Sequence, residues 1–456
     1  MREPGQYRTG PLIVGILLFL GPAVGAGEQT FALEEVPVWE LTERETALTA
    51  GQRAIAMDRP DPNVRAYSAL KSNKPVYGYV QFGSYRQERD PTLLYRFVID
   101  ESGGPGAGYD RWYVDLNGDR DLSNDAPALP RKDRPGQLLL RWTSLEREVL
   151  FDNVGFPLPF GTAGRRPLEM VPRLAVLKGG GAMVSFVPTK ARRGRIEIAG
   201  QQYDVLLGHS FGVCGWLDHP ETGFFLTPRG GPSVQSALGT ETLLMFLPRL
   251  GETYYRFAAT PAGDKLSVRP YEGPVGDFEV GGGSKFETAD FAAIGWLRSR
   301  DSLVRVPGPK CRLPAGDYSL SLMMITHGKL SFTIQRSNFS DGGSKLYQSP
   351  VYPISIRPGV PFVLDFSHRP QMVFAWPPKN HRAKAGERLF VQAVLVDPML
   401  DFVVSGLSYG SQKAAPGSGA LSADTPINPR NTNLPPQVII SRANGEIVAR
   451  GSMDYG

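Results

Sequence analysis

Apolar and polar residues alternate along this chain in short runs, not in the long stripes of amphipathic helices. Pro75–Phe82 and Thr92–Ile99 are dominated by aromatic and β-branched residues, the make-up of half-buried strands. A third strand is predicted over Tyr109–Val114, and further ones over Leu138–Trp142 and Glu148–Phe151. Three pairs of runs read as hairpins. Leu174–Leu177 and Met183–Val187 flank three glycines, Arg195–Ile198 and Tyr203–Leu207 flank Ala199–Gln202, and Tyr254–Phe257 and Leu266–Pro270 flank Pro261–Asp264. Leu313–Leu320 and Leu330–Ile334 continue the pattern. Phe362–Phe366, Met372–Trp376, Arg388–Val396, Phe402–Val404, Gln437–Ser441 and Glu446–Ala449 follow, the last two joined by an Asn444-Gly445 turn. Between residues 27 and 75 the pattern is weakest: Val36–Leu41 reads as a strand, and the stretch from there to Met57 has room for a short helix within it.

The fold class expected from this is mostly β, a multidomain set of β-sandwiches. The divisions expected are an N-terminal β region over 27–240, a second β domain over 241–345, and an Ig-like sandwich over 346–456. A Gly/Pro/Ser/Asn-rich segment over about 410–436 is expected to be a mobile loop in the last of these. The content of 52 Gly and 40 Pro agrees with many turns between short strands.

The first 26 residues have the form of a signal peptide. Arg2 and Arg8 precede the apolar run Pro11–Leu20, and Val24-Gly25-Ala26 offers small residues for cleavage. The expected location is secreted, periplasmic or cell-envelope, with the mature chain starting at Gly27 and carrying no transmembrane span. A net charge of +5 from scattered basic residues gives no nucleic-acid footprint. Export would allow Cys214 and Cys311 to pair, but spacing alone leaves a disulfide and two buried thiols equally open.

One stretch carries chemistry at a telling spacing. Asp115-Leu-Asn-Gly-Asp-Arg-Asp-Leu-Ser-Asn-Asp125 places oxygen-bearing side chains at every second position through Ser123, with another carboxylate at Asp125. Calcium is a hard cation that takes about six to eight oxygens at about 2.3–2.6 Å. Asp115, Asn117, Asp119, Asp121 and Asp125 are the expected ligands of one structural Ca2+. The match to an EF-hand loop is partial: Arg120 stands where glycine belongs, and Ala126 where a bidentate Glu belongs. The flanks read as strands, so the loop is expected between β elements. The alternative is a solvated acidic turn, since Asp and Asn favour turns.

Other constellations are less specific. Gly208-His-Ser-Phe-Gly212 fits G-x-S-x-G and resembles the nucleophile elbow of α/β-hydrolases, with Ser210 as nucleophile. Gly215 and Pro220 interrupt the helix such an elbow needs, and no His-Gly-Gly stretch precedes it. His209, Cys214 and His219 are evenly spaced but match no usual zinc signature. The chain's 17 Tyr, 23 Phe and 6 Trp would mostly fill sandwich cores, leaving some for a binding platform.

Taken together, Val114–Asp125, Pro314-Ala-Gly-Asp-Tyr318 and the hairpin Val438–Gly451 resemble uncharacterised secreted bacterial proteins built of β-sandwich modules. The acidic loop is also similar to the calcium loops of dockerins and thrombospondin-type repeats. The resemblance implies an exported location and a sandwich architecture, and brings no activity. The function expected is that of a secreted or envelope-associated binding or structural protein, more readily non-enzymatic, with a surface glycan or protein as partner. A secreted serine hydrolase using residues 208–212 and a carbohydrate-binding surface protein are the alternatives.

Overall fold

The computed structural model describes residues 27–42, 45, 52–82, 93–132, 145–159, 165–178, 181–209, 216–230, 243–281, 287–335, 338–341, 344–348, 353–368, 370–376, 382, 384, 392–397, 402–409, 432–433, 437–442 and 444–452. The fold is mostly β, built of several antiparallel sheets, with Val275–Gly281 running parallel to Phe362–Asp365.

The sheet that carries the acidic loop has four strands in the order Ile55–Met57, Val76–Gln81, Leu94–Asp100 and Arg111–Val114. Its inner face presents Val76, Val80, Tyr95, Phe97, Ile99, Trp112 and Val114. A second sheet, from Leu145–Leu150, Val154–Pro159, Arg165–Leu177, Ala182–Pro188 and Gln52–Arg53, covers that face with Phe156, Leu158, Met170, Leu174, Val184 and Phe186. Trp112 lies at the centre, its ring 5.1 Å from Phe151 and 5.2 Å from Phe186. The outer face is apolar as well: Tyr77 and Val98 pack with Leu122, Val64, Tyr67 and Leu70. Burial on both faces explains why Val76–Gln81 does not alternate cleanly. Gly78 is required here, because a Cβ would lie 2.2 Å from the Ile55 carbonyl oxygen and 2.4 Å from Phe97 Cζ.

A second sheet pair follows. Lys190–Ile198, Gln201–Gly208, Gly223–Pro228 and Glu34–Pro37 form one sheet; Gln29–Ala32, Lys265–Pro270, Thr253–Ala259 and Arg249–Leu250 form the other. Leu33, Ile196, Val205, Leu207, Phe224, Phe257 and Leu266 are buried between them. Farther along lies a nine-stranded sheet. Its main path runs Leu303–Val306, Phe291–Arg298, Gly316–His327, Leu330–Gln335, Phe402–Tyr409, Gln392–Asp397 and Gln371–Trp376.

The three expected hairpins form, with Val176 opposite Ala182, Ile198 opposite Gln201, and Phe257 opposite Val268. The Asn-Gly turn forms too: Gly445, at φ 87°, donates its N–H to Arg442 O at 2.9 Å. Other expectations need correction. In the stretch expected to hold a short helix, Glu45 is helical and residues 43–44 and 46–51 lie outside the described residues, whereas Ile55–Met57 at its end is a strand that completes the edge of a sheet. The strand expected over Val36–Leu41 stops at Pro37 and gives way to a 3-10 turn over Val38–Glu40. Val154–Pro159 was hidden by its prolines, yet pairs with Arg165–Met170, setting Pro157 opposite Pro167. The strand expected over Leu138–Trp142 lies outside the described residues.

Strand pairings bridge the expected divisions. Gln29–Ala32 pairs with Lys265–Pro270 across 240/241, and the nine-stranded sheet spans 345/346. Of the segment at about 410–436, Thr432–Asn433 pairs with the end of Phe402–Tyr409 and the rest lies outside the described residues. No helix among the described residues is long and apolar enough to cross a membrane.

Candidate metal centre

The acidic loop begins where Arg111–Val114 leaves its sheet. Asp115 is 2% exposed, and its N–H donates to Arg96 O at 2.9 Å, so the loop starts docked to the neighbouring strand. The Asp115 carboxylate folds the chain back on itself: Oδ1 accepts the Gly118 N–H at 2.8 Å and Oδ2 the Arg120 N–H at 3.1 Å. That return needs left-handed backbone at Gly118 (φ 75°) and at Arg120 (φ 66°). Arg120 therefore adopts the conformation of the glycine expected at its position.

Three side-chain turns then succeed one another. Asn117 Oδ1 accepts the Asp119 N–H at 2.9 Å, Asp119 Oδ1 the Asp121 N–H at 2.8 Å, and Asp121 Oδ1 the Ser123 N–H at 2.9 Å. Each oxygen-bearing side chain thus sets the conformation of the residue two further on, which is the physical content of the every-second-residue spacing. Leu122 points the opposite way, is fully buried, and anchors the loop against Tyr77 and Val98.

Asp125 closes the stretch. Burial, and then the charges of Asp115, Asp119 and Asp121, push its carboxyl up to about 6 from the ordinary 3.8. Its Oδ2 is buried and has no hydrogen-bond partner. Asp119 behaves in the opposite way. The Asn124 amide and the Asp121 N–H hold its carboxyl below the usual range.

The donor set is all oxygen, which suits a hard divalent cation. The orphaned oxygen of Asp125, facing the field of three other carboxylates, is what a cation would satisfy. As the side chains stand, no three Asp, Glu, His or Cys groups among the described residues are gathered closely enough to grip an ion. Asp119 Oδ2, for example, accepts the side-chain amides of Asn117 at 3.0 Å and Asn124 at 2.8 Å. Holding an ion would require side chains of the loop to reorient from these partners.

Beside the loop, a set of buried carboxylates went unnoticed in the sequence. Glu101 Oε1 accepts the Gly108 N–H at 2.9 Å, and Oε2 accepts the Gly106 N–H at 3.1 Å and the Ser72 hydroxyl at 2.8 Å. Burial works to raise Glu101, but the bonds from Ser72, Gly106 and Gly108 outweigh it and hold the carboxyl below its usual range. The glycine-rich stretch 103–108 is thus wrapped around a carboxylate. The signal was present as acidic Asp100-Glu101, one residue ahead of the glycine-rich stretch 103–108.

The other candidates fare differently. Ser210 and Cys214 lie outside the described residues. The strand that leads to Ser210, Gln201–Gly208, has antiparallel neighbours on both sides, and the chain returns with Gly223 opposite Gly208. A nucleophile elbow instead joins a strand to a helix over an α/β sheet. His209 is buried, and that burial, with the Arg192 charge, pushes it down to about 4. His219 Nδ1 accepts the Glu221 N–H at 3.1 Å. Cys311 is a free thiol pushed up to about 12 by burial. Exposed aromatic rings among the described residues include Trp39 and Tyr409, the latter with Lys329 Nζ 5.9 Å from its centre.

Comparison of the chain with protein-family models, curated proteins and solved structures found no match. What fold and site define is a class: a β protein of several antiparallel sheets, carrying one acidic loop docked on a sheet that is buried on both faces.

Proposed function

We propose that this is a secreted or envelope-associated, non-enzymatic β protein in which one Ca2+ rigidifies the loop 115–125. Asp115, Asn117, Asp119, Asp121 and Asp125 are its side-chain ligands. The observation that carries the reading is Asp125, whose buried Oδ2 is orphaned and whose carboxyl is pushed up to about 6 by burial and three neighbouring carboxylates. The basic and apolar leader in residues 1–26 supports export, and an extracellular medium supplies calcium at concentrations that fill even a site with Kd about 10⁻⁴–10⁻³ M. The bound ion would supply positive charge that cancels the mutual repulsion of the carboxylates. The chain's own part is to present them on a loop that is already turned by Asp115 and anchored by Leu122.

The test is a calorimetric calcium titration of the chain from Gly27 onward, with melting curves alongside. Saturation near one equivalent and a higher melting temperature are expected, and the double variant Asp119→Ala, Asp121→Ala should lose both. Absence of calcium binding by the parent protein sinks the reading and leaves an acidic turn.

A further inference from the structure

Residues 58–74 cross the outer face of the sheet as an irregular strap, with no strand of their own beyond an isolated bridge at Ala66. The strap fills that face with Val64, Tyr67 and Leu70, and the Tyr67 and Tyr77 rings meet edge-on at 5.2 Å. Its ends are tied to strand residues of the sheet itself. Asp61 pairs with Arg96 at 3.0 Å, and the Asp100 carboxylate accepts the N–H groups of Lys71 and Ser72 at 3.0 and 2.8 Å.

The middle is tied to the acidic loop. Arg65 N–H donates to Arg120 O at 2.7 Å, Leu122 N–H donates to Ala66 O at 2.9 Å, and the Ser68 hydroxyl donates to Leu122 O at 2.9 Å. Ala66 and Asp121 form a parallel bridge. Loop positions therefore divide by parity. Asp115, Asn117, Asp119 and Asp121 hold the oxygens, while Arg120 and Leu122 between them hold the strap. Disassembly of the loop would break these three bonds and unseat Leu122 together.

We infer that the acidic loop is the latch of this strap, so that a divalent cation in the loop governs how often the middle of the strap opens. The inference rests on the calcium reading and adds a consequence to it. Any opening that dismantles the loop must release the ion, so it becomes rarer by a factor of one plus the ratio of free calcium to Kd. At calcium about 100 times Kd, opening falls about 100-fold, and the amides that exchange through it slow by the same factor.

The experiment is hydrogen exchange on the intact protein in excess chelator and in saturating calcium, with calorimetry on the same sample. The amides of Gly118, Asp121, Arg65 and Leu122 are expected to slow together, while exchanging faster than those of the core strand Gln201–Gly208 in both conditions. Calorimetric binding with slowed Gly118 and Asp121 but unchanged Arg65 overturns the latch and leaves the calcium site standing. Arg65 exchanging at the same rate as the core amides of Gln201–Gly208 in both conditions also overturns it, since both then report global unfolding and not a local opening of the strap. No calorimetric binding overturns the inference together with the reading beneath it.

Discussion

Asp125→Asn separates a metal site from an acidic turn by a reversal of sign. Without calcium, the Asp125 carboxyl titrates near 6 in the folded protein against an ordinary 3.8. A carboxyl raised by folding favours the folded state most below pH 3.8, and that advantage is lost as pH rises through 6. The difference between the two values corresponds to about 3 kcal/mol as an upper bound. The residue as a whole is only partly buried although its Oδ2 is buried, so solvent screening reduces the effect to about 1 kcal/mol. Asparagine keeps the shape and removes the charge. In chelator at about pH 7.5 the variant should therefore be more stable than the parent by about 1 kcal/mol, and at about pH 3.5 the two should coincide. Calcium should invert the order. With Kd about 10⁻⁴–10⁻³ M, about 10 mM calcium stabilises the parent by about 1.4–2.7 kcal/mol, and the variant, short of one charged ligand, by clearly less. Urea midpoints across pH, in chelator and in calcium, read both effects. If Asp125→Asn is the less stable protein in chelator at neutral pH, the carboxylates of the loop do not repel Asp125 in the folded protein. If parent and variant gain equally from calcium, Asp125 is not a ligand.

Two further substitutions test the frame that holds the loop. Leu122→Ala removes a fully buried side chain packed on Tyr77 and Val98, and should cost about 3 kcal/mol in urea denaturation and weaken calcium binding with it; a loss under about 1 kcal/mol would mean that Leu122 does not anchor the loop. Arg120→Gly relieves a left-handed residue at φ 66°, worth about 1–2 kcal/mol less the extra freedom of unfolded glycine, so a net gain of up to about 1 kcal/mol is expected, and a destabilised variant would reveal a contribution from the Arg120 side chain.

The loop and the hairpins were legible in the sequence because their determinants are local. Ala199-Gly200 takes φ 50° and 78°, the left-handed pair that a two-residue hairpin turn demands, and the turn fixes the register of the strands on either side. The spacing of Asp115, Asn117, Asp119 and Asp121 likewise acts over two residues at a time, through side chain to backbone bonds, so it could be read before any fold was known. Even the mostly β class follows from short runs punctuated by glycine and proline.

What only the tertiary structure decided is which surfaces meet. Gln29–Ala32 finds its partner at Lys265–Pro270, and strands on both sides of 345/346 share one sheet. Leu122 is an apolar residue in a polar loop, but what it packs on, Tyr77, Val98 and the strap through Val64 and Tyr67, lies in other segments of the chain. The orphaned oxygen of Asp125 and the carboxylate held by glycines at Glu101 also appear only once the chain is closed. The physical reason is the same in each case. Periodicity records that a face is buried, and burial is non-directional, so it carries no address for what buries it; hydrogen bonds between distant segments exist only after that packing has brought them together.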